Sequence, residues 1–142
     1  MQILQPPDWV EPKGYANGIR AQGELVFVAG QVGWDEAGTF RAQDFVGQVR
    51  QCLENTLAVL SEAGAGPNHI VRMSWYITDR EEYLSNLEGM GLAYRELMGR
   101  HFPTMTMVEV AALIEPEAIV EVETTAVVPI EPSERPLSRD VY

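Results

Sequence analysis

The residues whose types and spacing could do chemistry gather in the last third of the chain. In the run Val120 to Val128, Glu121, Glu123 and Thr125 alternate with Val120, Val122, Thr124, Ala126 and Val128, the two-residue period of a strand. A carboxylate held on a partly desolvated surface can act as a general base, taking a proton from water as that water attacks. The preceding run, from His101 to Leu113, carries Met105 and Met107, soft apolar side chains suited to an adaptable pocket wall. The two runs are expected to face each other across Ile114-Glu115-Pro116-Glu117, which would set the carboxylates beside the methionines. The competing reading is a solvated or intersubunit face. Glu109 and Glu123 read more readily as structural partners than as catalysts. His69 and His101 are far apart in sequence, and Cys52 has no metal-ligand spacing around it, so neither a metal nor a cofactor is expected. Cys52 lies in an apolar helical stripe and reads as a small buried hydrophobe.

Charge excludes several classes of partner. Ten basic residues stand against 21 acidic ones, a net charge of −11, and no Lys/Arg cluster interrupts the acidic surface. Phosphate backbones and anionic bilayers both demand concentrated positive charge, so neither nucleic acid nor membrane is an expected partner. No apolar run reaches the roughly 18 residues of a membrane span, and no basic-then-apolar leader opens the chain. A cytoplasmic location is the expectation. At 142 residues the chain is expected to form one domain, 1–142, with a polar, proline-containing tail from about residue 130 to 142.

The elements that must position these residues follow from periodicity. Met1 to Leu4 can be at most a brief edge strand, and Ile19 to Gln22 a second; Leu25 to Val32 is rich in β-branched and aromatic residues and reads as a buried strand. From Asp44 to Ala63 the period becomes helical, with Phe45, Val49, Cys52, Thr56 and Leu60 on one stripe and Asp44 as N-cap. His69 to Thr78 is the next strand, and Asp79 caps a second helix whose stripe is Tyr83, Leu87, Met90, Tyr94 and Leu97. Gly89 and Gly91 inside that helix suggest close approach by a neighbouring element or ligand. The order β, β, β, α, β, α, β, β describes an α+β fold: a single mixed β-sheet with two helices packed on one face. The other face would be left bare, with Trp34, Trp75 and the Met105/Met107 row on it, and self-association is the expected remedy.

Taken in order, Gly14-Tyr15, Val28-Ala29-Gly30-Gln31-Val32, Gln48 to Asn55, Trp75-Tyr76-Ile77-Thr78-Asp79, Phe102-Pro103, Val108 to Leu113 and Val120 to Glu123 resemble the YjgF/RidA family of enamine and imine deaminases. The resemblance covers about residues 14–128. It implies a chorismate-mutase-like fold closed as a homotrimer, with the helices outside and a cleft between each pair of subunits. It implies Glu121 as the water-activating glutamate and Tyr15 as the cleft tyrosine. One departure stands out: the family's carboxylate-clamping arginine, two residues after Phe-Pro, is Met105 here. A guanidinium clamp is bidentate and charge-assisted, and methionine cannot replace it. The serine before the Gly-Gln pair is Ala29, and Gly91 stands nearest the family's cleft asparagine.

Two functions follow as expectations. In the first, Glu121 and Tyr15 serve hydrolytic deamination of a small imine or enamine. Gly30, Gln31, Trp34, Met105 and Met107 line the substrate, which is apolar or neutral where the family's is anionic. In the second, a non-catalytic trimer binds a small molecule or partner protein in the same clefts. An endoribonuclease fits badly with the acidic charge.

Overall fold

The computed structural model describes residues 1–130. The expected polar tail therefore lies, but for Ile130, outside the described residues. In chain order the elements are β1 (Gln2–Leu4), β2 (Gly18–Arg20), β3 (Glu24–Val32), α1 (Phe45–Glu62), a one-turn 3-10 helix (Pro67–His69), β4 (Ile70–Ile77), α2 (Arg80–Ser85), α3 (Leu87–Met98), β5 (Thr104–Glu109) and β6 (Val120–Val128). Four strands form a mixed sheet in the order β3-β6-β4-β5, antiparallel except between β4 and β5. The α+β expectation holds, with two differences. The strands β1 and β2 pair only with each other, as a separate antiparallel ladder. The second helix is broken at Asn86, which ends α2 and opens α3.

Local chemistry explains the helix boundaries. The Asp44 carboxylate accepts the Gly47 N–H at 2.9 Å, satisfying one orphan donor of the first turn of α1. Asp79 does the same for Glu81 and Glu82 in α2. The stripe of α1 is fully buried, from Phe45 to Leu60, and it lies on the sheet face formed by Val28, Met73, Trp75, Ile77, Val120, Val122 and Ala126. Gly89 lets α3 approach α1 closely: a Cβ there would stand 3.1 Å from Val46 Cγ2. The close approach suggested by that glycine is a helix–helix contact.

Two polar side chains of α1 tie the sheet to the helix. Gln48, fully buried, donates to Ala42 O and Glu117 O and accepts from Ile119 N at 3.0 Å. Asn55 donates to the carbonyls of Val32 and Trp34, closing the end of β3. Backbone groups in loops must find partners when buried, and these two amides supply them.

The sheet order overturns one expectation about the site. β5 and β6 do not face each other across the Ile114–Glu117 turn, because β4 lies between them. The register then separates the carboxylates from the methionines. Met105 pairs with Met73 and Met107 with Trp75, on the helix-covered face, whereas Glu121 pairs with Tyr76 and Glu123 with Ser74, on the open face. A strand alternates faces at every residue, so one register assigns all four side chains at once. Trp75 likewise belongs to the helix side, at 1 % exposure, and not to the bare face. That face remains uncovered in the single chain, with Leu25 and Phe27 exposed on the edge strand β3.

Candidate functional site

The expected site residues fall into two clusters and one outlier. The first cluster forms where β3 meets β6. The β3–β6 register shifts between Val28 and Gln31, so Ala29 and Gly30 have no opposite residue in β6. Such a bulge leaves backbone groups unpaired and re-aims the chain. The Glu121 side chain lies over Gly30, so closely that a Cβ added there would overlap its carboxylate; this is the close approach that requires a glycine. Gln31 folds its side chain back to donate to Ala29 O at 3.1 Å. Glu121 is half-buried in the single chain.

Beside Glu121, Glu123 has a structural partner. Its carboxylate accepts from the Tyr76 hydroxyl at 2.6 Å, and this bond, with burial and the two neighbouring carboxylates, holds the Tyr76 phenol above its ordinary pKa. Glu109 accepts the Arg80 N–H at the start of α2. Both agree with the structural roles expected for them. Cys52 is fully buried, donates weakly to Val120 O, and is pushed up to about 12, first by burial and then by the Glu121 charge. It is no nucleophile.

The second cluster lines a cavity of about 440 Å³ on the helix side, between the β4–β5 edge and α2 and α3. Tyr15, Met105 and Met107 all line it. Tyr15 is held there by its neighbour: Ala16 forms a parallel bridge with Thr104, and its N–H donates to Pro103 O at 3.0 Å. Gly14, at φ 78, makes the turn into that bridge. The C-terminal end of α3 is fixed to β5 by Tyr94, whose hydroxyl donates to His101 O and whose ring stacks on Phe102 at 5.5 Å. Burial raises the Tyr94 phenol well above its usual value. His101 in turn contacts Ile70 O through Nε2 at 2.7 Å, a structural contact for a loop histidine.

Trp34 is the outlier. It packs on Phe40 in the loop after β3, with ring centroids 5.9 Å apart, and is not part of the cavity wall. Residues passed over in the sequence complete that wall: Lys13 and Arg95 bring positive charge, and no Asp or Glu lines the cavity. A glycine inside a helix four residues before an arginine, Gly91 and Arg95, was the available signal, since that spacing stacks the two on one face. Among the described residues, no group of three or more His, Cys, Asp or Glu is placed to hold a metal ion. Among those residues, too, no helix is long and apolar enough to cross a membrane.

Comparison with known proteins places this arrangement. A family model described as Endoribonuclease L-PSP matches residues 10–128, a span holding both clusters. A RutC family protein of Pyrococcus abyssi is 34% identical over 113 residues, 79% of this chain and 84% of the relative. The 2-iminobutanoate/2-iminopropanoate deaminase of Salmonella typhimurium is 29% identical over 116 residues, 80% of this chain and 86% of the relative. Among solved structures, YyfB of Yersinia pestis, a protein of unknown function of the conserved Rid family, superposes with a TM-score of 0.79 at 28% identity, covering 89% of this chain and 98% of that one. The chain belongs to the Endoribonuclease L-PSP family, the YjgF/RidA proteins.

Proposed function

We propose that the protein hydrolyses a small imine or enamine to a carbonyl compound and ammonia, in a cleft completed by a second copy of the chain. The observation that carries this reading is the Glu121 carboxylate seated over Gly30, where the bulge leaves backbone groups unpaired at a sheet edge. The Salmonella relative named as an iminobutanoate and iminopropanoate deaminase supports the reaction class.

The chemistry follows from those groups. An enamine first takes a proton on carbon to become the imine. Glu121 removes a proton from water, whose oxygen adds to the imine carbon. The nitrogen takes up the protons that the water gives up, the C–N pair leaves with it as ammonia, and the added oxygen, losing its remaining proton, turns its O–H pair into the second bond of the carbonyl. The Tyr15 hydroxyl hydrogen-bonds the substrate or the tetrahedral intermediate. Backbone groups at Gly30 and Gln31 orient it.

Within one chain the two clusters lie on opposite sheet faces, toward opposite edges, and do not meet. Identical copies joined head to tail bring one edge of each toward the other edge of the next, and three such contacts close a ring. The exposed Leu25 and Phe27 favour burial in that assembly. A neighbour covering Glu121 also strips the water that would otherwise solvate the base. At Met105 and Met107 the wall is apolar, so the part of the substrate resting there is apolar. RNA is disfavoured by the −11 charge, since two cations in one cavity do not make a phosphate-binding groove.

Ammonia release from freshly generated 2-iminopropanoate and from bulkier imines, compared between wild type and Glu121→Ala, tests the reading. Turnover lost in the variant supports it. Turnover unaffected by the substitution contradicts the role of Glu121, and a wild type inert toward every imine favours a binding protein instead.

A further inference from the structure

Six methionines occur in the chain, and three of them, Met90, Met105 and Met107, share the wall of the helix-side cavity. All three are half-buried. Of the others, Met1 is the exposed first residue, and Met73 and Met98 lie in the core at 0 % and 3 % exposure. The contrast is sharpest across one rung of the sheet. Met105 on β5 is the register partner of Met73 on β4, on the same helix-covered face. One side chain of that pair is open to the cavity and the other is sealed. An opening wide enough for a substrate also admits peroxide, a molecule little larger than water.

A thioether is apolar, flexible and oxidisable, whereas its sulfoxide is polar and chiral. In a sealed core that change breaks the packing. Here the new oxygen emerges among donors: Lys13, Tyr15, Tyr83 and Arg95 line the same cavity, and no Asp or Glu of the described residues lines it to compete for them. The sulfoxide oxygen is an acceptor, so the oxidised wall finds partners without unfolding the sheet behind it. An apolar group laid on Met105 and Met107 must then strip that oxygen of its partners or its water, which costs binding.

We propose that Met105 and Met107, together with Met90, form a methionine-oxidation site that switches the cavity from apolar to polar in response to peroxide. In each step a sulfur lone pair attacks one peroxide oxygen and the O–O bond breaks. An S–O bond forms, and the second oxygen departs with both protons as water. Sulfur is oxidised by two electrons as the peroxide is reduced. Methionine sulfoxide reductases reverse the step, one enzyme for each sulfoxide epimer. Arginine, which the family resemblance leads one to expect at position 105, has no oxidisable sulfur, so the departure at Met105 supplies the response. Its bearing on turnover rests on the deaminase reading: the oxidised protein should lose activity toward imines with apolar side chains.

Mass mapping and binding decide this without turnover. The full chain is treated with hydrogen peroxide, sampled over time and digested for peptide mass spectrometry. Met105 and Met107 should each gain one oxygen at least about tenfold faster than Met73 and Met98, since susceptibility follows access. Affinity for the neutral apolar dye N-phenyl-1-naphthylamine, read by fluorescence, should fall at least about fivefold on oxidation and return after treatment with both reductases. Circular dichroism should stay unchanged, because the response lies in the wall and not in the fold. The variant Met90→Leu/Met105→Leu/Met107→Leu keeps an apolar wall without sulfur. Peroxide should change its dye affinity less than about twofold against its own untreated sample. Should that variant fail to fold, the wild-type measurements still decide. Met73 oxidised as fast as Met105, dye affinity indifferent to oxidation or not restored by the reductases, an equal loss in the triple variant, unfolding on oxidation, or no dye binding by untreated wild type would overturn the proposal. Failure of the deaminase reading registers separately, as ammonia release indifferent to Glu121→Ala.

Discussion

Replacing Gln48 by leucine should destabilise the protein far more than its conservative volume suggests. The side chain is fully buried and makes three hydrogen bonds, to Ala42 O, Glu117 O and from Ile119 N, at 3.2, 2.9 and 3.0 Å. Leucine fills similar space but leaves two carbonyls and one N–H without a partner. At a net cost of about 1 kcal/mol per lost bond, the sum is about 3 kcal/mol. At roughly 4 °C per kcal/mol for a chain of this size, the melting temperature should fall by about 12 °C. Urea unfolding followed by circular dichroism, at fixed protein concentration because assembly shifts apparent stability, measures the difference. Because Ile119 leads directly into β6, any folded Gln48→Leu protein should also lose ordering of Glu121. A loss below about 1 kcal/mol would refute the reasoning, since at least one of those backbone groups would then have found another acceptor or donor.

Two further outcomes follow from the site and the core. Met105→Arg places a second guanidinium beside Arg95 and should create or raise turnover of small carboxylate-bearing imines; if they remain inert, position 105 does not decide the substrate class. Cys52, with its thiol pushed from 9.0 to about 12 by burial, binds a proton in the folded state that the unfolded chain releases. Its contribution to stability is therefore intact below pH 9 and falls as pH rises toward 12, by about 1.4 kcal/mol at pH 10. Cys52→Ala should flatten that alkaline decline in unfolding experiments from pH 8 to pH 10, and identical slopes in the two proteins would contradict it.

Much of the fold was legible because local signals agreed with one another. The alternating run at Val120 to Val128, the stripe of α1 and the caps Asp44 and Asp79 all sit where periodicity and capping chemistry placed them. The break at Asn86 was hidden by a stripe that continues across it from Tyr83 to Leu97. Tertiary pairing was hidden as well. Nothing local to Met105 or Glu121 states that β4 separates their strands, so the faces they occupy could be known only from register. For the same reason the sequence grouped Trp34 with Met105, although the loop after β3 carries it away to Phe40. Arg95 was overlooked because a lone arginine on a helix usually faces solvent, and its meaning depends on the cavity that α3 and β5 form together.

The central claim is that Glu121 and the Tyr15 cluster act together only across a boundary between copies. Mixing separately unfolded Glu121→Ala and Tyr15→Ala chains, refolding them together and measuring ammonia release from an imine tests it directly. If each cleft takes one cluster from each of two copies, an equimolar mixture of the inactive variants should regain about one quarter of wild-type activity, the chance that both halves of a cleft are intact. A mixture as inactive as its components would contradict the account, because both clusters would then have to come from a single chain.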